Sequence, residues 1–275
     1  MLAYDLVNTI VLVGILALIL VAYSFRLALK GRAQFDRVDK QGGSVLLGKG
    51  LMEMAYWALQ PVARFLVYIK VTPNQLSWAS LVLGGMAGTA LAYGYFGFGA
   101  LFSTYSAFLD TLDGMVARMT DVASDAGEVL DAAVDRYVEF FFLAGLVLYY
   151  QPIPAFQVIA LCALCGSFMI SYSTAKAEAL QIPPPPGIMR RPERAFYLTL
   201  GAALSPIPMP WLDAVFTLPM SNPGYPLIAA CFVVAVLANI SAIERLWTIG
   251  KLMREKELAA EENLEAEDSV PHLEH

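Results

Sequence analysis

The chain alternates long apolar blocks with short polar breaks. The blocks lie at 6–27, 74–96, 98–118, 127–149, 153–176, 193–211 and 225–247, each near the roughly 20 residues that an α-helix needs to cross a bilayer. Seven spans follow. One further stretch, "SVLLGKGLMEMAYWALQPVARFLVYIK" at 44–70, mixes apolar and basic residues and is broken by Pro61. That mixture predicts a segment lying along the membrane surface. The next helix opens on "TPNQLS": Thr72 as N-cap, Pro73 at the first helical position and Gln75 completing a capping box. Gly84 and Gly88 in "LGGMAG" fit close helix packing, within the subunit or across a dimer.

Composition agrees with a bilayer as the solvent. Of 275 residues, 58% are hydrophobic and 15% charged, and the mean hydropathy is +0.59. A soluble domain is rarely so apolar. The first span has no Lys or Arg before it and Asp5 at its start, while Arg26, Lys30 and Arg32 follow it. It is therefore expected to be an anchor with its amino end outside, not a cleaved leader.

The remaining basic residues test that topology. Eight of the 18 Lys and Arg fall in 26–70, and the others sit near 118–136, 176–194 and 245–256. The short loops around 93–99, 149–154 and 206–224 carry none. Seven alternating spans put every basic residue at or near one side, which the positive-inside rule makes the cytosol.

Other features add less. The net charge of −6 comes mostly from the Glu-rich end after Glu255, a solvated helix or disordered tail. His272 and His275 lie in a terminal "HLEH" that reads as appended residues and take no role. Cys162 and Cys165 form a CxxC inside an apolar span with no second pair, which is no metal or redox signature.

The chemistry concentrates where the third and fourth spans meet. Asp110 and Asp113 lie one turn apart with Ala117 on the same stripe, and Asp131 and Asp135 stack at i, i+4 with Gly127 one turn before. The gap after Arg118 is long enough to reverse the chain. Two antiparallel helices are thus expected to present four carboxylates to one another at the cytosolic interface. Four carboxylates so crowded need compensation. Oxygen ligands without His or Cys favour a hard divalent ion, Mg2+ or Mn2+, and four charges match two ions. Paired hard ions clamp phosphate chains, and Arg118 adds a fork that fits phosphate. Glu139 continues the second stripe, where it has either an intramembrane role or a basic partner such as Arg136.

The pattern D-x2-D-G-x2-A-R-x8-G-x3-D-x3-D over 110–135 resembles the signature of the CDP-alcohol phosphotransferase family. The resemblance implies an all-α integral membrane protein whose six-helix catalytic core covers 72–248. A transmembrane anchor (1–30) and a cytoplasmic interfacial segment (31–71) would precede it, and an acidic tail (249–275) would follow. It implies a CDP-linked lipid donor, a small polar alcohol acceptor, release of CMP, and a homodimer in the cytoplasmic membrane; no nucleic-acid partner is expected.

Residue by residue, it makes Asp110, Asp113 and Asp131 metal ligands, and Asp135 both a ligand and the general base. Asp113, Gly114, Ala117, Arg118 and Gly127, with Asn74, Ser77 and Ser124, would line the donor site. "SYSTAKAEAL", "GIMRRPERAFYL" and "ISAIERL" further resemble phosphatidylinositol phosphate synthases, in which a Lys and two Arg hold the acceptor's phosphate. Arg194 and Arg245 match the arginines, and with Lys176 they are the expected acceptor-binding residues. Thr174 stands in the lysine's place, with Lys176 two residues on and on another helix face, so the sequence leaves open whether the acceptor is phosphorylated. Arg190 and Arg191 read equally well as positive-inside anchoring.

Rival readings remain at this stage. One is an aminoalcohol phosphotransferase taking a soluble CDP-aminoalcohol and diacylglycerol. Another is a cation or proton transporter using the aspartates, although transporter sites lie near the midplane. A third is an inactive scaffold.

Overall fold

The computed structural model describes residues 2–31, 48–122, 124–185, 187–216 and 218–268, and every regular element among them is helical. In chain order these are α1 (Leu2–Lys30), α2 (Gly48–Tyr68), α3 (Pro73–Ala92), α4 (Phe96–Met119), α5 (Asp125–Tyr149), α6 (Pro154–Ala179), α7 (Arg191–Leu204), α8 (Pro210–Val215) and α9 (Tyr225–Asp268).

Local chemistry sets the starts. Thr72 Oγ1 accepts from the Gln75 N–H while the Gln75 side chain accepts from the Thr72 N–H, so the capping box forms. Ser124 Oγ caps α5 by accepting from the Gly127 N–H. Pro73, Pro154 and Pro210 occupy first-turn positions, where no N–H is missed.

Two elements depart from the expected pattern. The span placed at 193–211 ends at Leu204, because Pro206 and Pro208 follow and cannot continue a helix. At 14 residues it reaches only about 21 Å. The surface segment is not interrupted at Pro61: α2 runs through it. The lost hydrogen bond is offset by burying Leu59 and Ala63 against Leu112, Met115 and Val116 of α4. Of the two forms expected for the acidic end after Glu255, a helix or a disordered tail, the helix is present as far as Asp268, as the continuation of α9. Residues 32–47, most of the linker between the anchor and α2, lie outside the described residues.

Six helices form a closed ring. α3 packs on α4 and α5, α5 on α6, α6 on α9, α9 on α7, and α7 back on α4. The two acid-bearing helices, α4 and α5, touch only sparsely. They do not face each other as a tight pair; α3 joins them on one side and α7 lies opposite. The core of the ring buries Leu91, Phe96, Leu143, Leu146, Tyr150, Leu227 and Val234 almost completely. α1 and α2 lie outside it, against α4 and each other. The Asp5 carboxylate of α1 accepts from the Phe98 N–H at the start of α4, and Tyr23 of α1 donates to Glu53 of α2.

By length and composition alone, Tyr4–Leu29, Pro154–Ala179 and Tyr225–Ala259 qualify as membrane spans among the described residues. The other expected spans fall short because they carry the polar side chains of the site, the small residues of α3, or only the 14 residues of α7.

Glycine decides how closely α3 meets α5. A Cβ on Gly88 would sit 2.2 Å from the Phe141 carbonyl oxygen, and one on Gly145 would sit 2.2 Å from the Gly88 carbonyl oxygen. The "LGGMAG" stripe therefore serves packing within the subunit. A Cβ on Gly85, in the same helix, would meet Phe141 only at 4.0 Å. Gly88→Ala is expected to cost about 2 kcal/mol, roughly 5 °C in thermal midpoint in detergent. Gly85→Ala should leave the midpoint unchanged or slightly raised. Equal midpoints for the two variants would contradict this account of the α3–α5 contact.

Candidate active site

The antiparallel run of helices brings the start of α3, the end of α4, the start of α5, the end of α6 and the start of α7 to one end of the ring. The polar residues singled out in the sequence gather there. α3 holds α4 in register through reciprocal serine bonds: Ser80 Oγ donates to the Ser106 carbonyl at 3.0 Å, and Ser106 Oγ donates to the Ser80 carbonyl at 2.9 Å. One turn further toward the site, buried Ser77 donates to Asp113 Oδ2 at 2.7 Å.

Three of the four aspartates converge. One carboxylate oxygen from each of Asp110, Asp131 and Asp135 lies within 4.8 Å of the others. Asp113 is 5% exposed and stands outside that group, turned to Ser77. The converging donors are all carboxylate oxygens, which fits a hard divalent cation and not zinc or copper.

The expected donor-site residues occupy the rim. Asn74 is exposed in the first turn of α3, Arg118 is exposed in the last turn of α4, and Ser124 is exposed while capping α5. Gly114, Ala117 and Gly127 are half-buried. The rim thus offers small residues beside polar ones, which lets a flat or extended ligand approach the backbone.

Beside the carboxylates a cavity of about 350 Å3 opens between α5, α6, α7 and α9. Asp135 and Glu139 form one wall, and Arg190, Arg191, Arg194 and Arg245 form much of the other. A smaller cavity of about 50 Å3 lies between α4, α5 and α7, sharing Asp135, Glu139 and Arg191 with the first.

The arginines are used differently. Arg194 is fully buried; it donates to Glu139 at 2.7 and 3.0 Å and to the Met189 carbonyl at 2.8 Å. Its fork is spent inside the protein. Glu139, whose role the sequence left open, is thereby the partner of Arg194 and not of Arg136. Arg245 is 7% exposed, and its Nη1 donates to Thr174 Oγ1 at 3.1 Å. Its Nε has no hydrogen-bond partner among the described residues. Thr174 lines the cavity, whereas Lys176 is exposed and does not.

Arg191 was legible only as an anchoring charge, yet it reaches the acidic centre. It donates to both oxygens of Asp110, at 3.1 and 3.3 Å, and pairs with Asp135. The available signal was its place at the first position of α7, just before Pro192. That position aims the residue at the end of the ring where the aspartates sit.

Removing one partner of a buried ion pair strands the other charge. Arg194→Met is therefore expected to cost about 3–5 kcal/mol of stability, and adding Glu139→Met should recover most of it. Denaturation of the single and double variants in detergent checks this. A double variant no more stable than the single one would contradict a purely structural pair.

Comparison with known proteins places these features. The CDP-alcohol phosphatidyltransferase family model matches residues 70–221. A phosphatidylinositol phosphate synthase of Corynebacterium glutamicum is 32% identical over 171 residues, 60% of this chain and 78% of that protein. Its counterpart from Mycolicibacterium smegmatis is 31% identical over 196 residues, 69% and 82% of the two chains. A bifunctional IPC transferase and DIPP synthase of Aquifex aeolicus is 29% identical over 190 residues, but the chain spans only 40% of that relative's length.

Among solved structures, the Mycobacterium tuberculosis phosphatidylinositol phosphate synthase with CDP-DAG bound is 26% identical with a TM-score of 0.59, covering 69% of this chain and 92% of that one. The same synthase in complex with manganese and citrate gives 26% identity and a TM-score of 0.60, covering 69% and 87%. With more than half of its length matched by the family model and its helical ring shared with these structures, the chain belongs to the CDP-alcohol phosphatidyltransferase family.

Proposed function

We propose that the protein transfers a phosphatidyl group from a CDP-diacylglycerol-type donor to a small polar alcohol and releases CMP. The observation that carries this reading is the convergence of Asp110, Asp131 and Asp135 at the mouth of an arginine-lined cavity. A relative of similar fold solved with CDP-DAG supports the donor, and one solved with manganese supports the ion.

In this reading Asp110, Asp113, Asp131 and Asp135 hold two divalent cations, Mg2+ or Mn2+. When bound, such ions neutralise the pyrophosphate and the departing nucleotide. Asn74, Ser77, Gly114, Ala117, Arg118, Ser124 and Gly127 receive the cytidine diphosphate at the rim. The donor's lipid tails stay in the bilayer. The acceptor enters the cavity, where Asp135 takes the proton of its hydroxyl. The freed oxygen attacks the lipid-side phosphorus, the bond to CMP breaks, and Arg118 steadies the leaving phosphate.

The basic-residue asymmetry supports a cytosolic site in the cytoplasmic membrane, with the N-terminus outside and the C-terminus inside. The homodimer enters the reading from the family resemblance alone.

The acceptor end follows from which arginines have capacity left. Arg194 is committed to Glu139 and Met189, and Lys176 lies off the cavity. Arg245, whose buried Nε has no hydrogen-bond partner among the described residues, is the group we assign to an anionic substituent of the acceptor, with Arg190 lining the same cavity.

Purified protein given CDP-diacylglycerol and a panel of alcohols, each with and without a phosphate, should release CMP, fastest with a phosphorylated member. Activity with a soluble CDP-aminoalcohol and diacylglycerol alone would favour the aminoalcohol reading. Ion flux in liposomes without CMP formation would favour a transporter. Asp135→Asn should lower turnover about 10^3-fold while the protein stays folded and binds the donor, and excess EDTA should abolish activity until Mg2+ or Mn2+ is restored. Normal turnover in Asp135→Asn, or full activity in EDTA, would remove the base and the cation from the account.

A further inference from the structure

Arg191 competes for the very oxygens that the proposed function needs. It grips Asp110 with two donations at 3.1 and 3.3 Å and pairs with Asp135. These are two of the three carboxylates whose oxygens converge within 4.8 Å. A guanidinium fork and a hard divalent cation seek the same lone pairs. Each can hold these oxygens fully only by excluding the other.

The neighbouring arginines cannot serve in this way. Arg194 is 0% exposed and locked onto Glu139 and the Met189 carbonyl. Arg245 is turned to Thr174. Arg191, by contrast, keeps 36% of its side chain exposed and lines both cavities, which leaves space beside it for another rotamer.

We propose that Arg191 is a built-in competitor for the cation site, which sets the cation concentration at which Asp110 and Asp135 are released for work. Below that concentration the arginine neutralises the two acids and keeps the residue assigned as general base occupied. Above it, the cation takes the arginine's place on Asp110 and Asp135 and leaves the remaining lone pairs of Asp135 to the acceptor's proton. The idea deepens the proposed function and rests on its reading of the carboxylates as a cation site.

The test is an equilibrium titration of the full chain in detergent with Mn2+ alone, followed by the electron paramagnetic resonance signal of the free ion, with no donor or acceptor present. Arg191→Met is expected to tighten Mn2+ binding about tenfold. Arg191→Lys keeps the charge but loses the fork, and should tighten binding by a smaller factor. Arg190→Met removes the neighbouring positive charge that lines the same cavity, and should change the affinity less than about twofold.

Thermal melting gives a second readout that a general loss of stability would not imitate. Arg191→Met should melt below the wild type in EDTA, and at or above it in saturating Mn2+. If Arg191→Met fails to fold, Arg191→Lys carries both measurements. Unchanged or weaker Mn2+ binding in the Arg191 variants would overturn the proposal. So would equal tightening by Arg190→Met, which would mark a diffuse charge effect. A wild-type protein that binds no Mn2+ at all would instead overturn the cation-site reading, and the proposal with it.

Discussion

Repulsion among acidic side chains is the constraint around which this protein is built. Carboxylate oxygens of Asp110, Asp131 and Asp135 lie within 4.8 Å of one another. At an effective dielectric constant of 20 each charged pair costs about 3 kcal/mol. Three pairs approach the whole net stability of an ordinary domain. Single hydrogen bonds, worth about 1 kcal/mol each, do not balance that sum; a retained proton or a nearby positive charge does. The arginines of α7 and the proposed divalent cations are two answers to the same deficit. That they meet the same oxygens follows directly from the crowding.

The ring of helices makes such crowding possible without wasting core. α4 and α5 carry the acids but touch sparsely, so their carboxylates have room for a ligand. α3 keeps them in register, by glycine contact with α5 and by serine bonds with α4. Both devices bring backbones close without bulky side chains, as suits helices packing in a solvent that offers no hydrophobic drive between them. Beyond the site, the buried Arg194–Glu139 pair ties α7 to α5 across the cavity.

Much of this was legible in the amino-acid pattern. The apolar blocks located the helices, "TPNQLS" and Ser124 marked two starts, and the spacing of the four aspartates drew attention to one end of the bundle. What escaped has physical reasons. Hydropathy does not see that Pro206 and Pro208 end α7 early, because both lie in an otherwise apolar run. Nor does Pro61 stop α2, where burial of Leu59 and Ala63 outweighs the missing hydrogen bond. The partners of Arg191, Arg194 and Glu139 are 55 to 81 residues apart in sequence. No local spacing rule pairs them. Asp113 shares its spacing with Asp110 yet turns to Ser77, since the choice of partner was made by α3 and not by its own helix.

A site at one end of the helical ring suits the proposed reaction between a greasy donor and a soluble acceptor. It places the charged work where solvation of the acids costs least. The most direct test of the central claim is anomalous diffraction from crystals of the protein grown with Mn2+. The account predicts a manganese peak enclosed by Asp110, Asp131 and Asp135. A peak elsewhere, or none at an occupancy that the same data would reveal, would contradict it.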